Sequence, residues 1–500
     1  MDEVPTANVN NVIEKIKDFV DRHYKNRFIL SCRTAARTHL RQFTDIEIVE
    51  FDDQQIQSFI EHWFSSELDR KNETAKNCWE LLQKEEYKSA KELAHTPLLL
   101  TFLCLVYDEN QSFPTNRSRL YQDALRILLE KWSAEKRLPN RGLVYENLSI
   151  EQEEILLSEI AYQNFVADKL FPEKREIVKQ IKDHLKQNLN APQHLDGEKV
   201  LKTIEIEQGI LVERARDVYS FSHLTLQEYL TAQYIYDNDL IEETVKNYVT
   251  ETRWQEVFLL VAGLMRGKAD KLLLAMEKEA HNYLKTPLGQ KLVPMLQWAD
   301  EMTKDSFDSP IKPVGRRAIA NLLVISHTYV TYSHNVFRIP NVNVIILTII
   351  LSLSPIPGNA IVSYIDLITV AMLIDNANAI ANADIIDRYV KLVNLLAQDR
   401  IVSKVNFSQL SSDLEALKQI IPDDKATTKE RQEFLDQFLK MWNTAFNLTP
   451  ELLNLSTEET YEIDEHYFYI NLLILDCQKV AVNISPTVWQ EIEERMLRVP

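Results

Sequence analysis

The chain has 500 residues, 45% apolar and 26% charged, which is enough for about three or four domains and excludes a disulfide-stapled miniprotein. It holds only eight glycines, where average usage of about 7% would give about 35, so folds built on glycine-rich loops and hairpins give way to helices. The net charge of −18 argues against a nucleic-acid partner, because such binding needs a basic surface that releases counterions.

The chain opens with MDEVPTANVN, which has no basic or apolar region of a signal peptide. Val9, Val12, Ile13, Ile16, Phe19 and Val20 mark one face of an amphipathic helix, and the run Phe28–Leu30 after it is expected as a strand. Ile46–Phe51 alternates as a second short strand. Asp52 then caps a helix with Gln55 three residues on, and Ile56, Phe59, Ile60, Trp63 and Phe64 form its buried stripe. Two strands and two helices do not close a doubly wound sheet, so residues 1–68 read as part of an α/β unit.

Residues 69–140 are helical with breaks at Pro97 and Pro114. Helices near 150–166, 172–188 and 198–208 follow. Strands at Ile210–Val212 and Val218–Phe221 come next, with Arg214–Asp217 turning between them, and then a helix over Ser222–Tyr236. Three helices, a wing and another helix resemble a winged-helix domain over 141–240. From 250 to 500 the pattern is helical with proline breaks and no fixed repeat. The apolar run at 342–353 is shorter than the about 20 residues that a membrane span needs, so no membrane association is expected.

Cys32, Cys78, Cys104 and Cys477 form no CxxC pair, which suits a reducing, cytoplasmic location. No HExxH, EF-hand or GxSxG pattern occurs, and no metal site is expected. Gly263–Ala269 comes nearest to a phosphate loop. It has one residue too few between its glycines, an alanine in place of the Mg²⁺-binding hydroxyl, and no expected strand before it. Three small constellations remain. Adjacent Asp2 and Glu3 suit Mg²⁺ and water activation, and equally a solvated terminus. Arg33 follows the strand expected at 28–30, where open sheets place ligands, and equally suits a surface ion pair. His223 at a helix start suits phosphate binding, and equally local packing.

In order along the chain stand the acid pair, a strand ending in Ser-Cys-Arg, EFDDQQIQSFIEHWF, HTPLLLTFLCLVY, LYQDALRILLEKW and FSHLTLQEYLTAQYI. Together they resemble the NACHT family of signal-transduction NTPases related to NOD-like receptors, over about residues 1–265. RWQEVFLLVAGLM and the later helices are similar to the helical C-terminal domain that follows NACHT in bacterial conflict-system proteins. The resemblance implies Asp2 and Glu3 as the last, catalytic Walker-B acids and Arg33 as the γ-phosphate sensor. It implies Thr96 and Pro97 as the turn near adenine, and His223 as the winged-helix contact to the ADP β-phosphate.

The expected fold is therefore mainly α. A P-loop-NTPase α/β remnant at 1–68 precedes a helical lid at 69–140, a winged helix at 141–240 and an all-α domain at 250–500. The sequence reads as starting after the family's phosphate loop and first Walker-B acid. ATP or ADP with Mg²⁺ is accordingly expected in the intact parent, with none bound tightly by this chain. The implied function is a nucleotide-controlled switch and oligomerisation module in bacterial anti-phage defence, with protein partners or further copies of itself. A non-catalytic helical interaction module is the alternative. A winged-helix transcription factor is disfavoured by the acidic charge.

Overall fold

The computed structural model describes residues 9–30, 43, 50–95, 97–114, 116–135, 149–189, 196–208, 210–332, 383–423, 425–452 and 455–500. These residues are mainly helical, with one two-stranded antiparallel sheet. They divide into two compact units. The first takes the described residues up to Ile241 with Thr252–Ala269 and Val480–Asn483, and the second takes Glu242–Glu251, Asp270–Lys479 and Ile484–Pro500.

In the first unit, α1 (Val9–Arg22) buries only Ile13 of its expected stripe. The strand expected at Phe28–Leu30 is irregular backbone, with Ile29 96% exposed and Leu30 also exposed. A three-residue apolar run gains nothing as a strand without neighbours to take its hydrogen bonds. The strand expected at 46–51 lies outside the described residues except for its last two, Glu50 and Phe51, which are irregular backbone. Phe51 donates its N–H to His95 O at 2.9 Å, while its own carbonyl lies 2.5 Å from His95 Nδ1. The helix α2 (Asp53–Trp63) starts in the expected capping box, Asp52 accepting from Gln55 N and Gln55 from Asp52 N. Ile56, Ile60 and Phe64 are buried as expected, but Trp63 is exposed and stacks on Phe59 with ring centroids 6.0 Å apart.

Short helices α3 (Glu67–Asn72), α4 (Thr74–Leu82) and α5 (Lys88–Ala94) lead to α6 (Pro97–Asn110) and α7 (Arg117–Glu135). Proline starts α6, where its missing N–H costs nothing. The winged-helix elements are α8 (Ile150–Val166), α9 (Lys174–Leu189), α10 (Gly197–Gln208), β1 (Leu211–Ala215), β2 (Val218–Phe221) and α11 (Leu224–Asp237). The strands pair Leu211 with Phe221 and Val212 with Ser220, and Asp217 turns between them with φ 59°. α11 packs on α8, where Gln233 Nε2 donates to Glu154 Oε1 at 2.7 Å and Tyr162 stacks on Tyr234. Burial raises the pKa of the Glu154 carboxyl.

After α12 (Ile241–Tyr248) comes α13 (Gln255–Leu264), preceded by the fully buried Trp254, which meets Phe165 edge to face at 4.8 Å. Gly263 lies within α13, and a Cβ there would stand 2.2 Å from Ser118 Oγ, which donates to Leu260 O at 3.0 Å. This glycine therefore serves close packing of α13 on α7. A helix, and no strand, leads into Gly263–Ala269, so the run is not a phosphate loop.

The second unit is helical throughout its described residues: α14 (Asp270–Tyr283), α15 (Pro287–Thr303), α16 (Pro313–Tyr332), α17 (Ala383–Gln398), α18 (Phe407–Lys418), α19 (Thr428–Phe446), α20 (Thr457–Ile463), α21 (Tyr469–Val480) and α22 (Pro486–Arg495). The apolar run at 342–353 lies outside the described residues. Tyr389, Phe438, Trp442 and Phe446 form an aromatic ladder between α17 and α19, and Trp298 Nε1 donates to Phe446 O at 3.1 Å. Arg317, 3% exposed, donates to the carbonyls of Glu493, Glu494 and Met496, capping the C-terminal end of α22. Between α20 and α21 a π-helical turn, Asp464–Phe468, carries the fully buried Asp464.

Candidate functional site

The best-formed arrangement for chemistry lies where the wing meets α11. Ser222 N donates to Ile210 O at 2.7 Å, which fixes the step from β2 into the helix. His223 is the N-cap residue, with extended backbone (φ −135°, ψ 138°) and a side chain that makes no capping bond. An imidazole cannot close this turn as a serine or aspartate would, so the ring remains available to the pocket beside it.

That pocket has a volume of about 310 Å³ and is lined by Leu170, Phe171, Arg214, Ser222, His223 and Gln227, among others. No carboxylate of the described residues lines it, although the chain carries 74 acidic residues. Arg214, on β1, is held from three sides. Its Nε donates to Ser220 Oγ at 2.9 Å, and its Nη2 donates to Ser222 O at 2.7 Å and to Phe221 O at 3.4 Å. These partners fix the guanidinium without neutralising it. Partial burial, and then the Arg214 charge, lower the His223 pKa below its ordinary value, which favours a neutral imidazole at pH 7. A fixed cation, an imidazole and a helix start converge here, a combination suited to an anionic oxygen group such as phosphate.

Of the residues singled out from the sequence, His223 lies in this pocket. Pro97 is the first residue of α6, exposed, and does not line it. Asp2, Glu3, Arg33 and Thr96 lie outside the described residues. Arg214 and Gln227 were not singled out. A basic residue beside a hairpin turn reads as solvated, and a glutamine inside an apolar helix gives no signal until the wing is folded against it. Among the described residues no group of three or more His, Cys, Asp or Glu side chains could hold a metal ion, and no helix is long and apolar enough to cross a membrane.

Residues 117–235 match the family model described as the winged helix-turn-helix domain C-terminal to NACHT. Residues 410–499 match NACHT C-terminal helical domain 2. A comparison with curated proteins finds no significant match. The first match covers the region from α7 to α11 that builds the His223 pocket, and the second covers the end of the second helical unit from α18 onward. The chain thus carries two modules, the winged helix and C-terminal helical domain 2, of the kinds that follow the NACHT domain in that family.

Proposed function

We propose that this chain is the C-terminal portion of a NACHT-type signal-transduction ATPase that works as a nucleotide-controlled switch and oligomerisation module in bacterial defence. The observation that supports this most is the position of His223 at the start of α11, beside the unneutralised Arg214 and in a pocket that no described carboxylate lines. In the switch, His223 would hold the β-phosphate of ADP bound to the NTPase domain and so favour the closed state. Exchange for ATP would release the winged helix, a hinge-type transition that frees surface for self-association.

The pocket fits a phosphate group but offers no phosphate cradle of backbone amides and no P-loop lysine, the parts that supply most of the catalysis in such enzymes. The 500-residue sequence contains no G-x4-G-K-[ST]. The chain by itself is therefore expected to leave ATP unhydrolysed. The test of the switch is His223→Ala in a protein that joins this chain to a complete NACHT NTPase domain. Signalling without a trigger should rise while melting of the winged-helix domain stays unchanged. Loss of fold with no gain of signalling would make His223 a packing residue and refute the switch.

A further inference from the structure

We propose that the start of α16 is a binding site for a single tetrahedral oxyanion, phosphate or sulfate, held by the guanidinium of Arg316 and the backbone amides of Val314 and Gly315. The site lies within the second unit, and it stands or falls independently of the nucleotide switch.

Helix α16 opens at Pro313, just after Lys312. The first amides of a helix have no partner within it and are met by a capping side chain, by water or by a ligand. Pro313 brings no N–H, and Arg316 N donates to Lys312 O at 3.0 Å. That leaves Val314 N and Gly315 N, which have no acceptor among the described residues. A lysine side chain carries no acceptor atom, so Lys312 cannot cap them as serine or aspartate would. Its Nζ pairs with Glu493 Oε1 at 2.7 Å instead. Val314 and Gly315 are both buried, where an unmet N–H costs free energy.

Arg316 gives a second, independent sign of an anion. It is only 6% exposed, and its Nε is buried with no hydrogen-bond partner among the described residues. Helical side chains lean towards the N-terminus, and Arg316 Nη1 reaches back to donate to Ile311 O at 2.8 Å. The guanidinium therefore lies at the end of α16 that carries the two amides. No carboxylate pairs with it among the described residues. Two nearby acids are already engaged, Asp300 by Arg317 at 3.6 Å and by Arg498 at 2.9 Å, and Glu493 by Lys312. Burial lowers the Arg316 pKa, with no acid acting against it. A cation buried without a counter-ion at the positive end of a helix dipole is unfavourable on both counts. One anion with several oxygens relieves both, accepting from the amides and neutralising the guanidinium.

The test is calorimetric titration of the full 500-residue chain, dialysed into sodium chloride, with sodium phosphate, sulfate and acetate at matched ionic strength. Phosphate and sulfate should saturate one site and raise the melting temperature, as a ligand of the folded state does. Acetate should bind more weakly. Arg316→Met should weaken phosphate binding about tenfold or more, the scale of one charge-assisted contact. Lys312→Asp places a carboxylate where a helix cap belongs, so it should raise the melting temperature in chloride and abolish the response to phosphate. This variant decides the matter alone if Arg316→Met fails to fold. Absence of saturable phosphate or sulfate binding to the wild type overturns the site. Equal phosphate binding by a folded Arg316→Met overturns it too, as does a folded Lys312→Asp that binds phosphate like the wild type. Acetate binding as tight as phosphate would overturn the assignment to a tetrahedral oxyanion.

Discussion

Replacing Asp464 by asparagine should stabilise the protein at neutral pH, and by more as the pH rises towards 8. Asp464 sits in the π-helical turn between α20 and α21, with no accessible surface and, among the described residues, no hydrogen-bond partner for either carboxylate oxygen. Burial, and then the charge of Glu465, push its pKa up to about 8. In the unfolded chain the same carboxyl ionises near the ordinary value of about 3.9. Between these two values the folded state holds one proton more than the unfolded state, so unfolding free energy falls by about 1.4 kcal/mol for each pH unit. The contribution is full below about pH 3.9 and is lost as the pH rises towards about 8; by pH 7 the accumulated loss is on the order of 4 kcal/mol. An asparagine side chain at this position has nearly the same volume and no charge to desolvate. Urea denaturation of wild type and Asp464→Asn between pH 5 and 8 can follow the buried Trp298 and Trp442 in the same unit. The stability difference should widen by about 1.4 kcal/mol per pH unit. Parallel profiles for the two proteins would show that Asp464 is not held neutral in the fold.

Gly263→Ala should destabilise the first unit by about 1 to 3 kcal/mol, because its Cβ would press on Ser118. Ser118→Ala in the same chain should recover part of that loss, and a melting series of the three variants checks it. Trp254→Ala should cost about 3 to 5 kcal/mol, read in the same denaturation assay, since the ring is fully buried against Phe165. Arg317→Leu leaves the last carbonyls of α22 without their donor, so amide exchange should accelerate over Pro486–Met496 and change little in the first unit. Purified chain with Mg²⁺ and ATP should show background turnover, and a colorimetric phosphate assay above background would contradict the expectation drawn from the missing phosphate loop.

The winged helix was legible because each of its elements carries its own local signal. Long runs with no glycine or proline in their interior mark the helices α8 to α11, and Val218–Phe221 is a short run with β-branched and aromatic residues between turn residues and a helix start. The capping box at Asp52 was legible for the same reason, since its bonds join residues three apart. What failed depends on neighbours that a local pattern does not contain. Phe28–Leu30 has the composition of a strand but no partner among the described residues, and Trp63 sits on the apolar face of α2 yet remains exposed. The candidate site divides in the same way. His223 could be chosen from its helix-start context, whereas Arg214 and Gln227 belong to it only through the folding of β1 and α11 around one pocket. The π-helical turn at Asp464 gave no signal either, because a buried acid reads as a surface residue until its surroundings are known.

The central claim is that the winged helix holds the nucleotide end of a NACHT switch, and the rate of ADP release tests it most directly. In a protein that joins this chain to a complete NACHT NTPase domain, loss of the His223 contact should remove about 1.5 to 3 kcal/mol of closed-state stabilisation, the scale of one charge-assisted hydrogen bond. Release of a fluorescent ADP analogue should then be about 10- to 150-fold faster in His223→Ala than in wild type. Equal release rates, with the winged-helix domain still folded, would contradict the account.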